Sequence, residues 1–483
     1  MNFTHEATHH ISAFDAEEHH SKNAHKVICL FTLYITVLFF IATPIAIFYS
    51  NEVGFWNNLY KIITSPSKLV TDYFALGGLG STFFNAAICG LAANVLIYFS
   101  RVKAKATALA GYMLVIAHGF YGLNFLNMWP TVFGVLLFCI VRKKRFKEYV
   151  HVALFSTALG PFISDFIFRY TINDEFVATE PRATVLGVII AILFGLAAGF
   201  VVPALLPGTT KMHRGFNMFK AGLAIGILGI FVYSFLYSSL GIEAPEPLII
   251  ENDAYFALKY AYSGFMNVFF AILFTSAIII GFILNRYSFR GFKELFRSVS
   301  YGVDFVDKFG MSVCLINFGI YGFCILAYLN AIIVLPELFD FLPQGVGFTG
   351  PTVGVVFAAL TFSADGQQPR TVAPIVVGYA VLFFVVCGIC SILNMDIPWT
   401  LSTQAYINGL AFATGLCAFS GKYGKRIGVL AGLLSAVICT STAAIHGGFV
   451  LYNGGFTAGL TALVLLPVLD FYKVHPKFED DKH

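Results

Sequence analysis

Apolar residues gather into fourteen stretches separated by short polar or charged interruptions, at 27–49, 73–100, 106–127, 129–141, 149–168, 183–207, 221–241, 260–284, 311–335, 351–364, 371–394, 403–420, 427–445 and 454–471. A helix that crosses a bilayer needs about 20 mostly apolar residues, and twelve of the stretches reach or approach that length. The two shortest, 129–141 and 351–364, each open with Pro-Thr-Val at Pro130 and Pro351, which suits a helix start. Their length fits a re-entrant or half-buried helix as well as a span. The pattern predicts an all-α polytopic membrane protein with 12–14 transmembrane or re-entrant helices.

One block of the pattern occurs twice. Residues 195–226 align without a gap on 428–459, with nine identities in 32 positions: Gly195/Gly428, Ala198/Ala431, Gly199/Gly432, Thr209/Thr442, His213/His446, Gly215/Gly448, Phe216/Phe449, Gly222/Gly455 and Gly226/Gly459. Looser matches pair Pro-Thr-Val at 130 with that at 351, and Cys89-Gly-Leu-Ala92 with Cys324-Ile-Leu-Ala327. The expected organisation is a polar, His-rich tail (1–26), a first helix with its external connector (27–69), one repeat (70–241), a linking segment with helix 260–284 (242–304), a second repeat (305–472) and a short tail (473–483). A single crossing between two like units turns the second upside down, so the repeats are expected to be of inverted topology. Transporters of that build place substrate near the bilayer centre, where the halves meet on discontinuous helices.

Composition agrees with the pattern. Of 483 residues 58% are apolar and only 12% charged, with a mean hydropathy of +0.79, against about a quarter charged in soluble domains. A water-soluble protein, a disordered chain and a nucleic-acid binder are excluded. The net charge of +4 is sorted between loops. With the N-terminus inside, inner segments hold 25 Lys and Arg and outer ones 5, namely Lys61, Lys68, Arg169, Arg182 and Lys259. Outer loops are acidic, at Glu243, Glu246, Glu251, Asp253, Glu337 and Asp340. Cytoplasmic loops carry the basic excess, so both termini are expected in the cytoplasm, in a bacterial inner membrane.

Broken backbone at membrane depth survives only when buried in protein or lining a wet cavity. The run His446-Gly-Gly-Phe-Val-Leu-Tyr-Asn-Gly-Gly455 starts a helix near Gly454 and Gly455, whose first N–H groups could face a polar ligand. A surface loop with glycine turns is the plainer reading, but a turn does not need the His and Phe that recur at His213/His446 and Phe216/Phe449. The candidate substrate-binding residues are therefore His213, His446, Asn453, Gly454, Gly455, Phe449 and Phe216. Each His could equally be a helix cap, and His118 is a further candidate. Asp165 is the one ionisable group well inside an apolar run, with Arg169 one turn later to anchor it. Asn85, Asn124, Asn127, Asn317, Asn408 and Gln404 are read as amides that join helices. No buried unpaired carboxylate or ammonium is evident in the repeated blocks, which favours a neutral solute or one carrying its own compensating ion.

Nine cysteines sit in apolar stretches and read as small hydrophobes, including the Cys387/Cys390 pair. No cofactor or metal set is implied, no removable signal peptide is expected, and His5, His9, His10, His19, His20 and His25 read as a solvated tail. No hydrolase, metalloprotease or phosphate-loop motif occurs, so the chain is not expected to be an enzyme. The length, the paired blocks and HGGFVLYNGGFTAG from His446 to Gly459 resemble a bacterial family of multipass membrane proteins known only as a domain of unknown function. That resemblance supplies no substrate. The first block departs from the second with Lys220 for Asn453 and Arg214 for Gly447. The expected function is a channel or secondary transporter for a small polar solute, with the bilayer and the solute as partners and homo-oligomerisation left open. A membrane-embedded enzyme acting on lipid, or a sensor or scaffold, is the alternative.

Overall fold

The computed structural model describes residues 3–66, 68–69, 71–100, 106–168, 182–244, 260–339, 341–342 and 347–478; the side chains of 3–23 are not among them. Among the described residues the chain is helical with no strand. Among the described residues ten helices are long and apolar enough to cross a membrane, and three shorter apolar ones accompany them. The protein is a multi-pass integral membrane protein. Arg101 to Lys105, Arg169, Glu246, Glu251, Asp253, Lys259 and Asp340 lie outside the described residues.

The α-helices of the described residues form two series of ten. The first comprises α1 (Phe3–Tyr49), α2 (Phe55–Thr64), α3 (Tyr73–Gly77), α4 (Leu79–Ser100), α5 (Ala106–His118), α6 (Trp129–Val141), α7 (Val150–Ser156), α8 (Gly160–Phe168), α9 (Val185–Met212) and α10 (Lys220–Tyr233). The second comprises α11 (Ser263–Leu284), α12 (Phe292–Arg297), α13 (Phe305–Phe309), α14 (Met311–Leu338), α15 (Gly350–Ala359), α16 (Pro369–Leu393), α17 (Gln404–Ala413), α18 (Cys417–Tyr423), α19 (Lys425–Ile445) and α20 (Asn453–Phe471). Each α-helix of the first series has its counterpart ten places on. In both series the seventh and eighth helices are one rod interrupted by a 3-10 turn, Thr157–Leu159 or Thr414–Leu416.

Local chemistry repeats with the elements. Asp72 caps α3 by accepting from the Phe74 N–H, and Asp304 caps α13 by accepting from the Val306 N–H. Asn85 Nδ2 donates to the carbonyls of Gly119 and Leu123 at 2.8 and 2.9 Å, and Asn317 Nδ2 to those of Ser363 and Gln367 at the same two distances. Both amides thus satisfy carbonyls freed where α5 and α15 end, which is the helix-joining role expected of them. Asn408 donates to Tyr121 Oη at 2.9 Å across the two series. The first helix of each series packs along the fourth, α1 on α4 and α11 on α14.

Two of the looser sequence matches are corrected by this packing. Gly195 lies on Pro130 and Gly428 on Pro374, while Gly134 faces Gly199 and Gly378 faces Gly432. Pro130 therefore corresponds to Pro374, and Pro351 starts α15, the counterpart of α5. Pro-Thr-Val recurs because it begins a helix well, not because the two helices are equivalent. The pairing of Asn85 with Asn317 likewise sets Cys89 opposite Tyr321, so the Cys89/Cys324 match is three residues out of register.

The series meet at equivalent residues. Gly222 of α10 lies against the backbone of Gly455 of α20, Gly226 against Phe456, Gly229 against Val450, and Gly459 against Leu223. Later positions in one helix meet earlier positions in the other, so α10 and α20 cross antiparallel. The α5 and α15 pair does the same, with Gly350 on the Phe120 carbonyl and Gly354 on the Ala117 carbonyl. The lack of a side chain at Gly222 and Gly455 is what lets the backbones approach this closely.

Candidate functional site

Both repeated blocks fold as helix, break, helix. At the first, α9 stops at Met212, Arg214 and Gly215 turn the chain with φ of 51° and 79°, and α10 starts at Lys220. At the second, α19 stops at Ile445, Gly447 and Gly448 turn it with φ of 61° and 77°, and α20 starts at Asn453. Left-handed backbone at two successive residues explains the shared glycine at 215 and 448.

Each break is pinned to the 3-10 turn of the opposite series. The Met218 N–H donates to the Gly415 carbonyl at 3.1 Å, and the Leu451 N–H to the Ala158 carbonyl at 3.0 Å. The two phenylalanines are packing anchors. Phe216 sits on Phe419 and Tyr301, with Lys422 over its ring, and Phe449 stacks on Phe162, with Lys68 over its ring. Gly454 and Gly455 press on Phe412 and on Phe219, and Asn217 Nδ2 donates to the Gly455 carbonyl at 3.0 Å.

The two histidines differ. His446 and His213 are both fully buried, at 0% exposure. His446 Nε2 pairs with Asn453 Oδ1 at 3.0 Å, seven residues on. At the same place in the first block stands Lys220, and neither ring nitrogen of His213 has a hydrogen-bond partner. The five polar or glycine candidates do not converge on one pocket; they brace two separate breaks.

What the breaks enclose is a small cavity of about 30 Å³ lined from both series by Thr107, Leu114, Phe155, Met218, Phe219, Lys220, Gly222, Phe362, Asp365 and Tyr452. A space of that size holds about one water molecule. Its wall repeats too. Phe219 packs on Phe362 and Phe412, and in the equivalent positions Tyr452 packs on His118 and Phe155. His118 Nε2 lies 3.2 Å from the Leu451 carbonyl, while the buried Tyr452 hydroxyl has no partner.

The lining also carries charge, with Lys220 exposed and Asp365 partly buried. Burial pushes the Asp365 carboxyl up to about 7, helped by Asp304 and Asp307 and opposed by Lys220. Asp304 is also raised by burial, although it accepts from the backbone at Asp307, Val306 and Ala106. Lys220 and Asp365 therefore bring an ammonium and a carboxylate to the space between the repeats, where the sequence suggested neither. Lys220 was visible as the departure from Asn453; Asp365 sat in the polar run Thr361 to Gln368 and carried no signal of its own. Asp165, the intramembrane carboxylate, is buried elsewhere, with Tyr237 Oη donating to it at 3.4 Å.

A family model described as "Protein of unknown function (DUF1576)" matches residues 51–238 and again 284–471. The chain belongs to DUF1576. The two DUF1576 copies start where α1 and α11 give way to α2 and α12; the first ends five residues beyond its crossing helix α10, and the second at the end of α20. No curated protein and no solved structure matches the chain.

Proposed function

We propose that the protein is a channel or secondary transporter, not an enzyme, that passes a small polar solute between two repeats of inverted topology. The observation that carries the reading is the cavity between the series, walled by equivalent aromatic residues of both and lined also by Lys220 and Asp365. Antiparallel contact of equivalent residues, Gly222 with Gly455, supports inversion, because a two-fold axis across two membrane-crossing helices lies in the membrane plane. The basic excess in alternate loops supports cytoplasmic termini in an inner membrane.

The aromatic wall is the constriction, and the unpartnered Tyr452 hydroxyl offers a polar contact on it. Lys220 draws the solute by an anionic or polar group, and Asp365 exchanges a proton near neutral pH. The test is uptake into proteoliposomes from a panel of small neutral, zwitterionic and anionic solutes, with Lys220→Ala and Asp365→Asn as controls. At least one solute should be carried, and both substitutions should lower its flux about tenfold or more. Unchanged flux of a carried solute in both variants would overturn the assignment of the path.

A further inference from the structure

A second, larger cavity of about 360 Å³ lies where α18 ends and α16 and α19 begin. Arg370, Lys425, Arg426 and Lys477 line it, and no carboxylate does among the described residues. We propose that this cavity binds a phosphoryl group, carried either by an anionic phospholipid headgroup or by a free phosphate anion.

Four observations build the site. The start of α19 is left open, because its cap is Gly424, at φ 94°, with no side-chain hydrogen bond. In the first series α9 starts under Thr184, whose hydroxyl accepts from the Gly187 N–H. Helix starts carry unpaired N–H groups and partial positive charge; α16 also begins here, but Gln368 Oε1 caps it by accepting from the Arg370 N–H, so the open start is that of α19. Next, Ser420 lines the cavity at only 6% exposure, and its buried hydroxyl, packed over Gly428, has no hydrogen-bond partner. A buried hydroxyl without a partner costs free energy that a ligand oxygen would recover.

Arg370 is held in place by its own donors, with Nη2 donating to the Arg297 carbonyl at 2.6 Å and the Ser298 carbonyl at 3.1 Å, while Nε is buried and unpaired. The backbone of Lys477 is placed by its N–H, which donates to the Lys422 carbonyl at 2.9 Å, and its exposed side chain lies along Gly424. One fixed cation, three exposed ones, a buried hydroxyl and an uncapped helix start match the several oxygens and negative charge of a phosphoryl group. A neutral ligand would leave this charge uncompensated. The sequence continues into Glu479, Asp480 and Asp481, outside the described residues.

The test uses the purified full chain in a neutral detergent, with dioctanoyl phosphatidylglycerol and inorganic phosphate as probes and dioctanoyl phosphatidylcholine as control. It is run also in a background with Glu479→Gln, Asp480→Asn and Asp481→Asn, so that tail carboxylates do not compete. Saturable binding of phosphatidylglycerol is expected, tighter than phosphatidylcholine and about tenfold or more weaker in Arg426→Gln with Lys477→Gln. Arg426→Lys with Lys477→Arg should restore it, and the unliganded melting temperature should not move, as both side chains are exposed. Competition by phosphate assigns the site to the free anion, and binding of the lipid without competition assigns it to the headgroup. Equal affinity of the parent and the Arg426→Gln, Lys477→Gln protein, or no saturable binding of either probe in both backgrounds, overturns the proposal. The cavity is separate from the Lys220 and Asp365 path, so failure here leaves the transport reading untouched, and the reverse.

Discussion

The two breaks share a backbone and differ in chemistry. His213 and His446 follow equivalent helices, precede equivalent left-handed turns and are both fully buried. Seven residues on, the second break has Asn453, which completes a closed pair with His446; the first has Lys220, which faces a cavity and leaves His213 without a partner. Repeats that pack alike can therefore be specialised by one residue. The second break is braced as structure, and the first trades that brace for a charge in the lining of the central cavity. The aromatic wall differs in the same way, since His118 and Tyr452 stand where the other series has Phe362 and Phe219.

The largest effect is expected where the comparison depends on contact between the series. Gly222→Ala sets a methyl group into the backbone of Gly455 and should cost about 3 kcal/mol, read as a lower melting temperature in detergent. Gly208→Ala, in the same block with nothing within 4 Å of the added carbon, should cost nothing. Equal melting of the two variants would break the claim that α10 and α20 cross at these glycines.

Next is the brace itself. Asn453→Leu strips His446 of its partner and should destabilise by about 2 kcal/mol. Lys220→Asn gives His213 the partner that its counterpart has, and should raise stability by about 1 kcal/mol while abolishing transport. A Lys220→Asn protein that melts lower would show that the first break is not an unbraced copy of the second.

The pH dependence sharpens the difference in the lining of the cavity. Asp365 is held up to about 7, above the ordinary carboxylate range, by burial, with Asp304 and Asp307 adding and Lys220 opposing. A carboxyl raised in the folded state binds more protons there than in the unfolded chain, so its contribution to stability falls as pH rises from about 4 to about 7 and is flat above. Asp365→Asn should flatten the melting temperature across that window. Lys220→Met removes the opposing charge and should move the inflection of both melting and transport to higher pH.

The smallest effect is at the aromatic wall. Tyr452→Phe removes a buried hydroxyl that has no partner and should raise stability by about 1 kcal/mol. If the hydroxyl touches the solute, flux falls although stability rises. Flux and stability moving together would make the ring, not its hydroxyl, the working part.

Sequence order fixed which stretches are helical, because a bilayer core admits only long apolar helices and loop charge marks their ends. All fourteen stretches contain helix, and the repeated block from Gly195 and Gly428 is in the true register. That block is legible because both copies must turn left-handed at one place and cross at one glycine, constraints that are local in sequence. The rest of the repeat was not legible. Equivalent residues are 232 apart at Asn85 and Asn317, 244 apart at Pro130 and Pro374, and 233 apart again at Gly195 and Gly428, so connections of different length hide it from a gapless comparison. Pro130 and Pro351 look alike in sequence for a reason that belongs to any helix start.

Tertiary structure alone decided that the breaks lock onto the opposite series, at Gly415 and Ala158. It also decided that Phe216 and Phe449 anchor packing and that Lys220, Asp365, His118 and Tyr452 come together. Residues from α5, from α10, from the turn after α15 and from the turn before α20 share one cavity because antiparallel helices cross at glycine. Proximity of that kind depends on interaxial distance and direction, which no spacing along the chain encodes.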